Sequence, residues 1–183
     1  MKSAINLNFK GLHFWTRFIA LALGSVIIGF GSIQLRAQVG VKNQEFNRLL
    51  QGLLDHNVPE IGVNEACTTN PVLFLDAREQ EEFEVSHLPG ATWVGYDNFQ
   101  WERMSEIAKD QPIVVYCSVG YRSERISKKL IAAGYSRVFN LYGGIFEWTN
   151  SGYPVENQNG PVKTVHTYNK DWSRWVTKAS KIY

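Results

Sequence analysis

Only two of the 183 residues are cysteine, Cys67 and Cys117, which is too few for a disulfide framework and leaves a single bridge open on count alone. The chain has no Gly-rich phosphate loop, no group of metal-ligand residues at a recognisable spacing and no internal repeat. Nucleotide-loop, metal-site and solenoid readings therefore have nothing to rest on, and neither a resident metal nor a cofactor is expected. Acidic residues are absent from the first 38 positions, where Lys2, Lys10, Arg17 and Arg36 fall. Removing those four from the 19 basic residues leaves 15 against 17 acidic ones, a net of −2, so the formal +2 of the whole chain belongs to its leader. Nucleic-acid binding needs a basic face on the folded domain, and that is not present.

The leader itself has a distinct layout. Lys2, Lys10 and Arg17 precede an apolar run over residues 18–35, broken only by small residues and Gln34, and Arg36-Ala37-Gln38 follows. A basic region, an apolar stretch and a small residue before the cut describe a secretory signal ending at Ala37, with a mature chain beginning near Gln38. Leu35 is bulky for the position three residues before that cut, and the run is nearly long enough to cross a bilayer, so an uncut anchor is the second version. Basic residues ahead of the apolar run place the remainder outside the cytoplasm in both versions. A buried soluble helix is disfavoured by Gly24, Gly29 and Gly31 and by the lack of a polar face.

Beyond the leader the apolar fraction, 44% for the whole chain, suits one globular domain with an extension at either end. Asn43 is placed to cap a helix carrying Phe46, Leu49, Leu50 and Leu53 on one stripe. Residues 72–75 and 113–116 are short apolar runs without alternation, ending at Asp76 and Cys117, as expected of parallel strands covered on both faces. Weaker strands are expected at 137–141 and 92–96, and helices near 79–85, 101–108 and 122–133, the last with Ile126, Leu130 and Ile131 on one face and Gly134 at its end. Alternating strands and helices imply an α/β domain with a mainly parallel sheet, whose sites lie beyond the carboxyl ends of its strands. The expected organisation is a signal or anchor at 1–37, a helical segment at 38–59, the α/β domain at 60–155 and a basic, aromatic tail at 156–183.

Cys117-Ser118-Val119-Gly120-Tyr121-Arg122-Ser123 lies between a buried strand and an amphipathic helix. Unpaired amides in the first helical turn carry partial positive charge, Gly120 permits a positive φ, and Arg122 adds a full charge. An anion on the sulfur would sit among these groups, and the same field favours thiolate over thiol. The plain alternative is a small buried cysteine ending a strand.

Three segments in order carry a family resemblance. Asp76-Ala77-Arg78, Glu82-Phe83 and His87-Leu88-Pro89-Gly90-Ala91 resemble the rhodanese pattern; Cys117 to Ser123 resembles its active-site loop; and Gly143-Gly144 with Trp148 resembles its closing segment. The likeness spans about residues 60–152 and departs from the pattern at Ala77, Leu88 and Tyr121. It implies a three-layer α/β/α fold around a five-stranded sheet, with Cys117 forming a persulfide cradled by the loop amides. Asp76, Arg78, Glu82 and His87 are expected to act as an ion-pair and hydrogen-bond network fixing loops rather than as an acid/base set. Cys67 precedes the first buried strand, which puts it at the opposite end of the sheet from Cys117 and beyond the reach of a disulfide.

In the tail, Trp172, Trp175, Val176 and Ala179 fall at helical spacing opposite Arg174, Lys178 and Lys181. This is expected as a short amphipathic helix, its tryptophans either docking on the domain or touching anionic lipid or a partner. The functional expectation is an exported sulfurtransferase that takes sulfane sulfur from a small donor and passes it to a thiol or cyanide. A non-catalytic carrier or protein-binding module is the alternative. Phosphatase or arsenate-reductase chemistry is disfavoured, because four residues separate Cys117 from Arg122 where tyrosine-type phosphatases have five. Arg122 is the one cation of the loop, so thiosulfate, a dianion, is expected to be a poor donor unless Arg103 or Arg125 supplies a second charge.

Overall fold

The computed structural model describes residues 39–183, so the export signal or anchor expected at 1–37 lies outside the described residues. Among the described residues no helix is long and apolar enough to cross a membrane. The elements in order are α1 (Gln44–Leu53), β1 (Glu60–Ile61), α2 (Val63–Thr68), β2 (Leu73–Asp76), α3 (Gln80–Val85), β3 (Thr92–Trp93), β4 (Ile113–Tyr116), α4 (Tyr121–Ala132), β5 (Val138–Leu141) and α5 (Gly144–Asn150). After them come β6 (Val155–Asn157), β7 (Gly160–Val162), β8 (Thr164–His166) and β9 (Ser180–Ile182).

The first five strands form one sheet in the order β1-β5-β4-β2-β3, and every pairing in it is parallel. β4 is central and none of its residues is exposed to solvent. Successive side chains of a strand point to opposite faces, and β4 divides accordingly. Val114 and Tyr116 join Phe46 and Leu50 of α1 and Ile145, Phe146 and Trp148 of α5. Ile113 and Val115 join Leu75 with Ile126 and Leu130 of α4. Helices thus cover both faces, which makes the three layers expected of a sheet whose strands lack alternation.

Local signals act as anticipated at several points. The Asn43 carboxamide oxygen accepts from the Glu45 and Phe46 amides at 2.9 and 3.0 Å and starts α1. The expected helix at 101–108 is instead a single 3-10 turn at Trp101–Met104. The Tyr135 hydroxyl donates to the Met104 carbonyl at 2.8 Å and occupies an acceptor that a continuing helix would use.

The tail departs from the amphipathic helix its spacing suggested. Trp172–Trp175 is one 3-10 turn, and the chain then runs extended into β9, which pairs with β8. Long-range contacts explain the difference. The Trp175 ring stacks on Phe46 of α1 with centroids 5.2 Å apart, and Val176 is fully buried. The Asn150 side chain, at the end of α5, donates to the Trp175 carbonyl and accepts from the Thr177 amide, both at 2.7 Å. These bonds, and the β-branched pair Val176-Thr177, hold the backbone extended where a helix would need it coiled. Trp172, Trp175, Val176 and Ala179 pack against the domain core, whereas Tyr168, Ile182 and Tyr183 are exposed.

Candidate active site

β2 and β4 are in register so that Asp76 lies beside Tyr116, and Cys117 follows at the carboxyl end of the central strand. Gly120, at φ +114, turns the chain into α4, and its N–H points back at Cys117 Sγ at 3.2 Å. A side chain is strongly disfavoured at that φ, so the glycine is what lets the loop close around the sulfur. The N–H groups of residues 121–123, in the first turn of α4, have no acceptor among the described residues. Ser123 Oγ lies 3.5 Å from the sulfur and 2.6 Å from Asn140 Oδ1. Its one hydroxyl proton has two acceptors within reach, the Asn140 carboxamide oxygen at the shorter distance and the Cys117 sulfur at the longer.

Asn140 is a site residue that sequence reasoning missed. It is fully buried on β5, where its amide also donates to the Gly120 carbonyl at 3.1 Å and so pins the loop at its glycine turn and at Ser123. Its signal was present, an asparagine inside the otherwise apolar Val138-Phe139-Asn140-Leu141. The Gly143-Gly144 pair has an equally direct role. The amides of Ile145 and Phe146 donate to the Cys117 and Ser118 carbonyls at 2.9 and 3.2 Å, fastening the loop to the start of α5. A Cβ on Gly144 would stand 2.6 Å from the Ser118 carbonyl oxygen and closer still to that of Cys117.

The expected network divides in two. Asp76 and Arg78 form a fully buried pair at 2.6 Å, and Arg78 also donates to the Ser86 carbonyl. Burial opposes the Arg78 charge, but Asp76 more than offsets it and the pKa rises. His87 shares backbone hydrogen bonds with Glu156, bonds the Phe83 carbonyl through Nδ1 at 2.9 Å and stacks on the Phe83 ring. These three residues tie neighbouring loops together. Glu82 does not belong with them. It receives both terminal nitrogens of Arg122 at 2.6 and 2.8 Å and the Ser118 hydroxyl at 3.1 Å. Burial raises the Glu82 pKa, but the Arg122 hydrogen bonds outweigh it and the carboxyl stays below its usual range. Arg122 is therefore neutralised in place, not presented as a free cation, and Ser118 Oγ accepts a further bond from it at 3.0 Å.

Cys117 opens into a cavity of about 520 Å³. The loop supplies Ser118, Val119, Tyr121 and Arg122; Glu79, Tyr96 and Asp97 come from the loops after β2 and β3; Leu53 comes from α1, and Tyr168 and Trp172 from the tail. The Arg122 guanidinium lies over the Tyr168 ring, 5.5 Å from its centroid. Tyr168 has φ +67, unusual for a residue with a side chain and sustained by the Thr167 and Trp172 contacts on either side of it. Cys67 is exposed on α2, and both cysteines are free.

The parallel sheet thus ends its central strand in a buried cysteine, cupped by a loop and the start of α4. The rhodanese-like domain model matches residues 63–151. A sulfurtransferase of Allochromatium vinosum is 38% identical over 92 residues, covering 50% of this chain and 85% of that protein. The chain belongs to the rhodanese-like family. It is also 33% identical over 109 residues to the tRNA uridine(34) hydroxylase of Photorhabdus laumondii, of which it spans only 30%. Among solved structures, the thiosulfate sulfurtransferase of Pseudomonas aeruginosa superposes with TM-score 0.52 at 20% identity, over 75% of this chain and 27% of that one. The rhodanese-like domain of an Anabaena protein gives 0.50 at 23%, over 54% and 79%. At those identities the structural likeness speaks to fold.

Proposed function

We propose that the protein is a sulfurtransferase in which Cys117 carries sulfane sulfur as a persulfide. The observation that carries this reading is the Gly120 amide 3.2 Å from Cys117 Sγ, next in the chain to first-turn amides of α4 that have no acceptor among the described residues. Those donors suit a negative charge one bond beyond the sulfur. The Cys117 thiolate attacks the outer sulfur of a donor; the donor's S–S bond breaks, a new S–S bond forms on Cys117, and the donor leaves as its thiolate or, from thiosulfate, as sulfite. An acceptor thiolate or cyanide then attacks the outer sulfur and Cys117 departs as thiolate. Each step is a two-electron displacement with no external oxidant, and ping-pong kinetics follow. Residues 118–123 hold the outer sulfur, and Glu82 orients Arg122. With its guanidinium committed to Glu82, Arg122 is poorly placed to clamp a tetrahedral oxyanion, which disfavours phosphatase chemistry.

Intact mass spectrometry tests the reading. Incubation with thiosulfate or a polysulfide should add the mass of one sulfur, and Cys117→Ser should abolish the gain while leaving the thermal melt unchanged. No gain with any sulfane donor would exclude sulfur transfer and favour the binding-module reading; loading without turnover would make the protein a carrier. The leader supports an extracytoplasmic location. N-terminal sequencing should find a mature chain starting near Gln38, and an intact Met1 on a cytosolic protein would refute it.

A further inference from the structure

The cavity is far larger than a single sulfur atom or thiosulfate requires, and its walls are mostly apolar or aromatic: Leu53, Val119, Tyr96, Tyr121, Tyr168 and Trp172. Its charges are unbalanced. Glu79 and Asp97 line it, while the one lining cation, Arg122, is already bidentate on Glu82. Neither outside arginine is available to them: Arg125 is turned onto the Tyr121 ring and carbonyl, and Arg103 lies over the Trp93 ring. Burial is the main cause that raises the Glu79 pKa; the Asp97 and Glu82 charges add to it, while Arg122 and the Asp97 amide oppose it. An ammonium group placed there would gain from both carboxylates and from the aromatic faces.

Resting on the sulfur-transfer reading, we infer that the site takes organic thiols and persulfides that bear a positive charge, small aminothiols being the simplest class. The sulfur enters toward Cys117, the carbon body lies along Tyr168 and Trp172, and the ammonium sits at Glu79 and Asp97. Small inorganic dianions meet the same carboxylates as a repulsion.

Charged methanethiosulfonates probe the pocket without requiring turnover. The Cys117 thiolate displaces methanesulfinate and keeps the reagent's thioalkyl group as a mixed disulfide, so the rate reports how each charge is received at the sulfur. The full chain with Cys67→Ser leaves Cys117 as its one cysteine. Rates are compared for a trimethylammonium-ethyl and a sulfonato-ethyl reagent, then repeated with Glu79→Gln and Asp97→Asn together. Intrinsic reagent reactivity cancels in that comparison. The cation-to-anion rate ratio should fall about tenfold at low salt, as expected for two charges several ångströms from the probe in a partly solvated site. The fall should shrink as salt rises. Asp97→Asn alone, on an exposed residue, should give about a threefold fall and guards against a misfolded double variant. Persulfide-loaded Cys117 should show the same change between cysteamine and mercaptoacetate as acceptors. An unchanged ratio with normal sulfur loading would overturn this inference and leave the sulfur-transfer reading standing. Failure of any donor to load Cys117 would overturn that reading and the substrate assignment with it.

Discussion

The floor and the walls of the Cys117 cavity are built by different means. The floor is almost all backbone: the Gly120 amide, the first turn of α4, and the Cys117 and Ser118 carbonyls fastened to the start of α5. The walls are side chains, and several come from outside the segment that matches the family: Leu53 from α1, Tyr168 and Trp172 from the tail. A backbone cradle depends on chain path, which glycines and strand ends set locally. Side-chain walls can be exchanged without disturbing that path. On the proposed function, the arrangement would separate holding sulfur, a task common to any donor, from choosing the molecule that brings or removes it.

Gly144→Ala attacks the floor most severely. The new Cβ would collide with two loop carbonyls at a φ of +56, and a cost of about 3 kcal/mol or more is expected. Chemical denaturation should report that loss, and sulfur loading should fall with every donor alike. Equal stability with normal loading would show that the cradle does not depend on this close approach.

Trp175→Ala addresses the wall. Losing a partly buried indole stacked on Phe46 should cost about 2 kcal/mol and loosen the segment carrying Tyr168 and Trp172. Thiosulfate transfer should be nearly unaffected, whereas KM for organic thiols should rise several-fold. A parallel loss for both kinds of substrate would place the tail in the floor's support.

The smallest effect is expected from acid. Glu82 has a folded-state pKa held below its usual value, because the Arg122 hydrogen bonds outweigh burial. Its contribution to stability is therefore present above the unfolded carboxyl value and is lost as pH falls through the lower folded one. Denaturation midpoints measured below about pH 4.5 should decline less steeply in Glu82→Gln than in the parent. Identical slopes would mean that the pair with Arg122 adds nothing to folding.

Most of the frame was legible from the chain. Apolar runs ending at Asp76 and Cys117 define strands buried on both faces; Asn43 and Gly120 mark helix starts; and the loop from Cys117 to Ser123 follows from a strand end meeting an amphipathic helix. These features are short-range, carried by periodicity and by residues with restricted or unusual backbone freedom. Asp76 with Arg78, and His87, were also readable as loop-holding groups, since a charge near a buried strand end needs a partner.

What required the folded molecule was every contact between distant segments. Arg122 reads as a free cation until Glu82, forty residues earlier, is seen to neutralise it. Asn140 reads as an oddity in a strand until it is found pinning Gly120 and Ser123. The tail's helical spacing gave way to an extended path because Phe46 and Asn150, far away in sequence, offered Trp175 and Thr177 better partners than a short solvent-exposed helix could. Local pattern determines which elements form and that Cys117 falls at a strand end. Side-chain pairing across long loops depends on how those elements pack, and that decided the charge and the walls around the sulfur.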